Sequence, residues 1–141
     1  NLEAGRSLAA SLGLKNVTFE EGDAFNAGSI LKVEPRPNIV IVSGLYELFP
    51  DNGMILASLG GIAGALHDGG VLIYTCQPWH PQIEVIGRTL VNRDGVQWVM
   101  RRRTQAEMDE LVRSVGLAKD STKIDTFGIF SVATAHKGAA K

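Results

Sequence analysis

A single cysteine, Cys76, stands among the 141 residues, so the chain cannot form a disulfide within itself. That agrees with a reducing, cytoplasmic setting. Long apolar runs are also missing. No stretch approaches the roughly 20 residues that a membrane span requires, and no secretory pattern opens the chain. Neither sign of charge dominates: Lys and Arg number 14 and Asp and Glu 15, a formal net charge of −1. A general nucleic-acid or membrane-surface binder is therefore not expected. The three histidines and one cysteine show no metal-ligand spacing. There is no Gly-x-Ser-x-Gly elbow, which argues against a serine hydrolase, and there are no repeats or low-complexity tracts.

What is present is an ordinary globular composition, 45% apolar and 21% charged, in a length that suits one domain with a real core. Residues 1–141 are read as a single, partial domain. The chain opens on Asn1 in what already looks like a helix, so it is expected to be the tail of a longer polypeptide. Gly138-Ala139-Ala140-Lys141 reads as a frayed end.

The chain is organised around Ile39-Val40-Ile41-Val42, four consecutive β-branched residues. Such a run suits a strand buried on both faces of a parallel sheet. It ends in Ser43-Gly44-Leu45-Tyr46-Glu47. In open α/β sheets ligands bind at the carboxyl ends of the strands, so this segment is where chemistry is expected.

Around it the order is helix, strand, loop, strand, helix, strand. Leu2 to Leu12 is helical by composition, with Leu8, Ala9 and Leu12 near one face and Gly13 as a C′ cap. Asn16 to Glu20 alternates as a strand, and Gly22-Asp23-Ala24-Phe25 turns after it. Ala27 to Pro37 is a connection with room for one helical turn. Asp51 or Asn52 caps a helix running to about His67, its apolar face made by Met54, Leu56, Leu59, Ile62, Ala63 and Leu66. Gly60, Gly61 and Gly64 inside it point to close packing against a sheet. Val71 to Cys76 is a second buried strand. Gln82 to Val91 is read as helical, with Ile83, Ile86 and Leu90 on one face. Thr104-Gln105-Ala106-Glu107 is a capping box that opens a helix carrying Met108, Leu111, Val112 and Val115. Lys119 to Asp125 and Ile129 to Ala135 are two strands too closely joined to be anything but antiparallel. The expected fold is α/β: a Rossmann-like, doubly wound, mostly parallel sheet with helices on both faces and an antiparallel edge strand.

Several stretches in this order resemble the second half of a class I S-adenosylmethionine-dependent methyltransferase. They are Gly22-Asp23-Ala24-Phe25, Ser43-Gly44-Leu45-Tyr46-Glu47-Leu48-Phe49, His67-Asp68-Gly69-Gly70-Val71-Leu72-Ile73-Tyr74, and Arg103-Thr104-Gln105-Ala106-Glu107-Met108 with Val115-Gly116-Leu117. Gln77-Pro78-Trp79-His80-Pro81-Gln82 and Trp98-Val99-Met100-Arg101-Arg102-Arg103 resemble, more specifically, bacterial methyltransferases of which some follow an α/β-hydrolase domain in one polypeptide. The resemblance covers nearly the whole chain.

The resemblance implies S-adenosylmethionine as cofactor and methyl transfer to a small-molecule acceptor. It also implies that Asp23 accepts a hydrogen bond from the adenine amino group, as an acceptor-only carboxylate suits. Ala24 would contact the ring through its backbone and Phe25 would pack on its face. Gly22, Ser43 and Gly44 complete the cofactor side. The plainer reading of Asp23 is an Asx turn after Gly22. The glycine-rich loop after the first strand and the acidic residue after the second are expected upstream of Asn1, so this chain holds half of a site. An upstream domain in the same polypeptide and a homodimer formed at an exposed strand edge are the partners to look for.

Three residues are catalytic candidates: Glu47 as a general base, His80 as a base or substrate donor near neutral pH, and Tyr46 beside them. Two have a plain alternative: Glu47 opening a helix or turn near solvent, His80 exposed between prolines. Trp79 either walls an acceptor pocket or covers core. Arg101 to Arg103 either bind an anionic acceptor or form a solvated run before a helix. His67 suits a helix C-terminus, His136 has no evident partner, and Cys76 reads as a packed thiol. The alternatives in function are an inactive methyltransferase-like accessory module and a nicotinamide-dependent Rossmann protein; the antiparallel finish argues against the second.

Overall fold

A computed structural model describes residues 1–139, so Ala140-Lys141 of the expected frayed end lie outside the described residues. The elements are α1 (Leu2–Ser11), α2 (Ala27–Ile30), β1 (Ile39–Val42), a single 3₁₀ turn (Tyr46–Leu48), α3 (Asn52–Ala65), β2 (Val71–Cys76), α4 (Ile83–Thr89), α5 (Gln105–Ser114), β3 (Leu117–Ile124) and β4 (Ser131–Lys137).

The four strands form one sheet in the order β1-β2-β4-β3. β1 and β2 are parallel, Ile39 opposite Val71 and Val42 opposite Tyr74. β4 runs against both β2 and β3. The Rossmann-like α/β plan is therefore present, and three of four strands run one way. The reversed strand is inserted between β2 and β3, so β3 takes the edge. A short hairpin allows β4 to fold back onto β2 and leave β3 outside.

One sheet face is covered. Leu72, Tyr74 and Cys76 of β2 and Ala133 and Ala135 of β4 form a core with Ile55, Leu59 and Ile62 of α3 and Met108, Leu111 and Val112 of α5. The opposite face does not carry the expected second layer of helices over β1: Ile39 is 60% exposed and Ile41 66%. The expectation of a strand buried on both faces is thus corrected. β1 has β2 on one side and no strand on the other among the described residues.

Residues 16–20 form no strand. A strand needs a ladder to complete its backbone hydrogen bonds, and no partner lies beside this segment among the described residues. In α1 the buried residue is Ala9, whereas Leu8 and Leu12 are exposed. Its end is as expected: Gly13 has φ 68°, its N–H donates to the Ala10 carbonyl, and the Leu14 N–H donates to that of Ala9. This is the paired Schellman closure.

Asp51 caps α3, its carboxylate accepting from the Gly53 N–H. The buried side is Ile55, Ser58, Leu59, Ile62 and Ala65, and Leu56 faces out. The glycines serve a different neighbour from the one expected. A Cβ on Gly61 would lie 2.9 Å from the Ala27 Cα, and one on Gly64 would lie 2.6 Å from Leu31. They admit α2 and the residue after it, not the sheet. Arg36 closes the other end of α3 by donating to the carbonyls of Gly64, Ala65 and Leu66.

Thr104 accepts from the Glu107 N–H at the start of α5. The reciprocal half of the capping box is not made, because Glu107 instead accepts from Asn52 and Arg101. α4 buries no residue.

Candidate active site

β1 and β2 are parallel, so the loops leaving Val42 and Cys76 emerge at the same end of the sheet. Gly44 has φ 66°, which lets the chain turn sharply off β1. Its N–H donates to Thr75 Oγ1 at 2.8 Å and fastens the two strand ends together. The 3₁₀ turn then carries Tyr46 and Glu47 back under the sheet edge, and both are buried.

Tyr46 lies in the core, its hydroxyl 2.9 Å from that of Ser58. Burial pushes the phenol up to about 12, only partly opposed by Ser58. Glu47 is 6% exposed, and neither carboxylate oxygen meets a hydrogen-bond donor among the described residues. Burial raises its pKa; its own backbone N–H and the charges of Arg102 and Arg103 oppose the shift. A small cavity of about 10 Å³, room for one water, is lined by Tyr46, Glu47, Cys76, Gln77, Arg103 and Met108 among others. Cys76 is a packed thiol there. Burial, with the nearby Glu47, raises it to about 11.

The arginine run is not a solvated face. Arg101 is exposed, Arg102 half-buried and Arg103 only 3% exposed. Arg103 donates from Nη1 to the Tyr46 carbonyl at 2.7 Å, from Nη2 to that of Phe49 at 2.9 Å and from Nε to Asn52 Oδ1 at 2.7 Å. Its own carbonyl accepts from the Cys76 thiol. Arg102 donates to the Gln77 side chain. Gln77 and Ser58 were missed in the sequence, and Arg103 was read there only as an anion binder or solvated charge, not as a brace. Their partners lie far along the chain, and no local pattern marks a guanidinium destined for distant carbonyls.

A second hollow, about 380 Å³, opens on the other side of the turn. It is lined by Ala24, Ile30, Val40, Ile41, Val42, Ser43, Leu45, Ser58 and Ile62. Ala24 and Ser43, both singled out in the sequence, meet here. Asp23 is exposed and makes the Asx turn, one oxygen accepting from the Phe25 N–H at 2.9 Å. Phe25 turns inward, its ring 4.5 Å from that of Phe49 and 6.5 Å from that of Tyr46. Gly22 and Gly44 are exposed. His80 lines neither cavity; its Nδ1 accepts from the Gln82 N–H at 3.1 Å. Trp79, 55% exposed, covers no core. His136 does have a partner, Asp120 at 2.7 Å. No metal-binding group of side chains occurs among the described residues.

A family model described as "Putative methyltransferase" matches residues 1–137. The chain belongs to this methyltransferase family. It is 50% identical over 137 residues to the Escherichia coli (strain K12) protein described as "Uncharacterized protein YnbC", a match covering 96% of this chain and 23% of that one. The chain thus spans about a quarter of that relative. Its fold is similar to that of an S-adenosylmethionine-dependent methyltransferase from Clostridium acetobutylicum (TM-score 0.74, 13% identity, 98% of this chain and 71% of that one). It is also similar to human N-acetylserotonin methyltransferase in complex with SAM (TM-score 0.65, 19% identity, 89% of this chain and 35% of that one). These likenesses bear on the fold. No helix among the described residues of the methyltransferase-family chain is long and apolar enough to cross a membrane.

Proposed function

We propose that this chain supplies the adenine-side and acceptor-side half of a site for S-adenosylmethionine-dependent methyl transfer to a small molecule, with Glu47 as the general base. The observation that carries the reading is the Glu47 carboxyl: buried, without a hydrogen-bond partner, and placed where the parallel strands β1 and β2 end. An unpaired buried carboxyl is costly and is kept where chemistry uses it.

The residues present fit the cofactor's adenosyl end. The 380 Å³ hollow is mostly apolar and of ligand size. Asp23 keeps one oxygen outside its Asx turn, suited to accept from an exocyclic amine. Ala24 and Ser43 border the hollow, Gly44 follows Ser43, and Gly22 and Asp23 line a separate hollow of about 510 Å³ that shares Ala24 and Ile30 with it. Phe25 supports the wall through Phe49 rather than presenting a free face. When bound, S-adenosylmethionine supplies a methyl group on a positively charged sulfur.

Glu47 takes the proton that the acceptor's nucleophile gives up. Its raised pKa brings it nearer neutrality, which makes it a better base than an ordinary carboxylate. Tyr46 walls the cavity and anchors the turn through Ser58. His80 is the alternative proton acceptor, through Nε2, because Nδ1 is engaged by Gln82. The outer edge of β1, with no strand beside it among the described residues, supports pairing with another segment or a second copy. The 23% share of YnbC supports a further domain in the same polypeptide.

The test is calorimetric titration of S-adenosylmethionine and S-adenosylhomocysteine into the chain and into a version extended upstream of Asn1. Binding that weakens in Asp23→Ala supports the reading. A folded, extended protein that binds neither ligand overturns it and leaves an accessory module of methyltransferase fold.

A further inference from the structure

No other residue among those described donates to the carboxyl of Glu47, and the donor it faces is its own backbone N–H. Its aim is therefore inherited from the backbone that carries it. That backbone is the turn from Tyr46 to Asn52, and one side chain from far along the sequence spans it. Arg103 donates to the carbonyls of Tyr46 and Phe49 and to the side chain of Asn52, a flat fork across the two sides of Glu47. Arg103 is itself anchored: its carbonyl accepts from Cys76 at the end of β2, and the next residue, Thr104, caps α5.

From this geometry we infer that Arg103 is a positioning residue, which holds the Tyr46–Asn52 turn and thereby keeps the Glu47 carboxyl buried in its cavity. The inference rests on the reading of Glu47 as proton acceptor for its purpose, but not for its geometry. A point charge cannot replace the fork. Arginine presents donors in a fixed plane, matching separate acceptors at once, whereas a lysine ammonium offers one centre. Arg101 adds a lesser brace by donating to the Pro50 carbonyl and to Glu107. Glu107 in turn accepts from Asn52, so the Pro50–Asn52 end of the turn is tied to α5.

Charge and position make opposite demands on Glu47, which gives a clean test. The positive charges of Arg102 and, after it, Arg103 favour an ionised Glu47, and Arg102 stays in every variant tested. Removing the Arg103 charge alone pushes the Glu47 titration up. Releasing the turn, by contrast, lets the carboxyl reach water and brings the titration down toward the ordinary carboxylate range. The experiment is a carbon-13 NMR titration of the glutamate side-chain carboxyls in the full chain, with Glu47 assigned by Glu47→Gln. It compares the native sequence, Arg103→Met and Asn52→Ala, each checked for folding by amide spectra.

The expected result is a lower Glu47 midpoint in Arg103→Met, and a smaller fall in the same direction in Asn52→Ala, which keeps the arginine charge. A folded Arg103→Met with an unchanged or higher midpoint overturns the inference. If Arg103→Met does not fold, Asn52→Ala decides, and an unchanged midpoint there overturns it. Failure of Glu47 as the base reads out separately, as methyl transfer that survives Glu47→Gln while the Arg103 effect on the carboxyl persists.

Discussion

The hydroxyl oxygens of Tyr46 and Ser58 lie 2.9 Å apart inside the core, joining the turn after β1 to the middle of α3. Both side chains are buried, so each hydroxyl depends on the other. Tyr46→Phe and Ser58→Ala should each cost about 1–2 kcal/mol, because each strands a buried polar group. The double variant should cost less than the sum. Urea unfolding of the four proteins checks this; strict additivity would show that the pair does not interact.

Glu47 should make the protein less stable as pH rises. Its folded pKa lies above the ordinary value, so between the two the native state holds a proton that the unfolded chain has released. Stability from this group is complete below the ordinary value and is lost as pH rises through the raised one. Glu47→Gln does not titrate. It should be more stable than the native sequence at pH 8, on the order of 1 kcal/mol, with the gap closing in acid. Denaturant midpoints at both ends of the range provide the measurement, and a gap that widens in acid contradicts the burial argument.

Gly60, Gly61 and Gly64 of α3 should respond differently to alanine. Gly60 meets nothing within 4 Å, so Gly60→Ala gains helix propensity without a clash. It should stabilise by up to about 1 kcal/mol. Gly61→Ala drives a methyl into the Ala27 backbone and should cost roughly 1–3 kcal/mol. Gly64→Ala meets only the end of the Leu31 side chain, which can move, and should fall between. Thermal midpoints of the three variants give the ranking.

Asp125 holds the connection between β3 and β4. Its carboxylate accepts from the N–H groups of Phe127, Ile129 and Phe130. Those donors, the Phe130 amide foremost, depress its pKa. The contribution is present above the ordinary carboxylate value and is lost as pH falls through the depressed one. Asp125→Asn should lower the protection factors of these three amides at neutral pH, whereas the native protein loses that protection, relative to the intrinsic exchange rate, only in acid. Equal protection in both proteins at neutral pH would mean the carboxylate adds nothing to the turn.

The candidate site was legible in part. Ser43, Tyr46 and Glu47 stand out because they follow β1, and strand ends are where an α/β sheet leaves its loops, whereas Asp23 stands out only through the family resemblance. Whether Glu47 was buried or solvated was not written in that pattern. Tyr46-Glu47-Leu48 reads equally well as a surface turn, and only the packing of Phe25, Phe49 and Arg103 around it removes the water. Arg103 shows the same limit: beside Arg101 and Arg102 it reads as solvated charge, yet its acceptors are carbonyls more than fifty positions earlier in the chain.

Local chemistry by itself determined the Asp51 and Thr104 caps, the Gly13 closure, the strand Val71–Cys76 and the hairpin of β3 and β4. Each of these is decided by residues within a few positions, through backbone hydrogen bonds or side-chain period. Tertiary structure decided the rest. Asn16–Glu20 has strand chemistry but no ladder to join, the Ile39 and Ile41 side of β1 faces outward while Val40 and Val42 meet the core, and Gly61 and Gly64 admit α2 and Leu31 where a sheet was expected. In each case the deciding partner is distant in sequence, and a hydrogen bond or buried contact exists only when both halves are brought together.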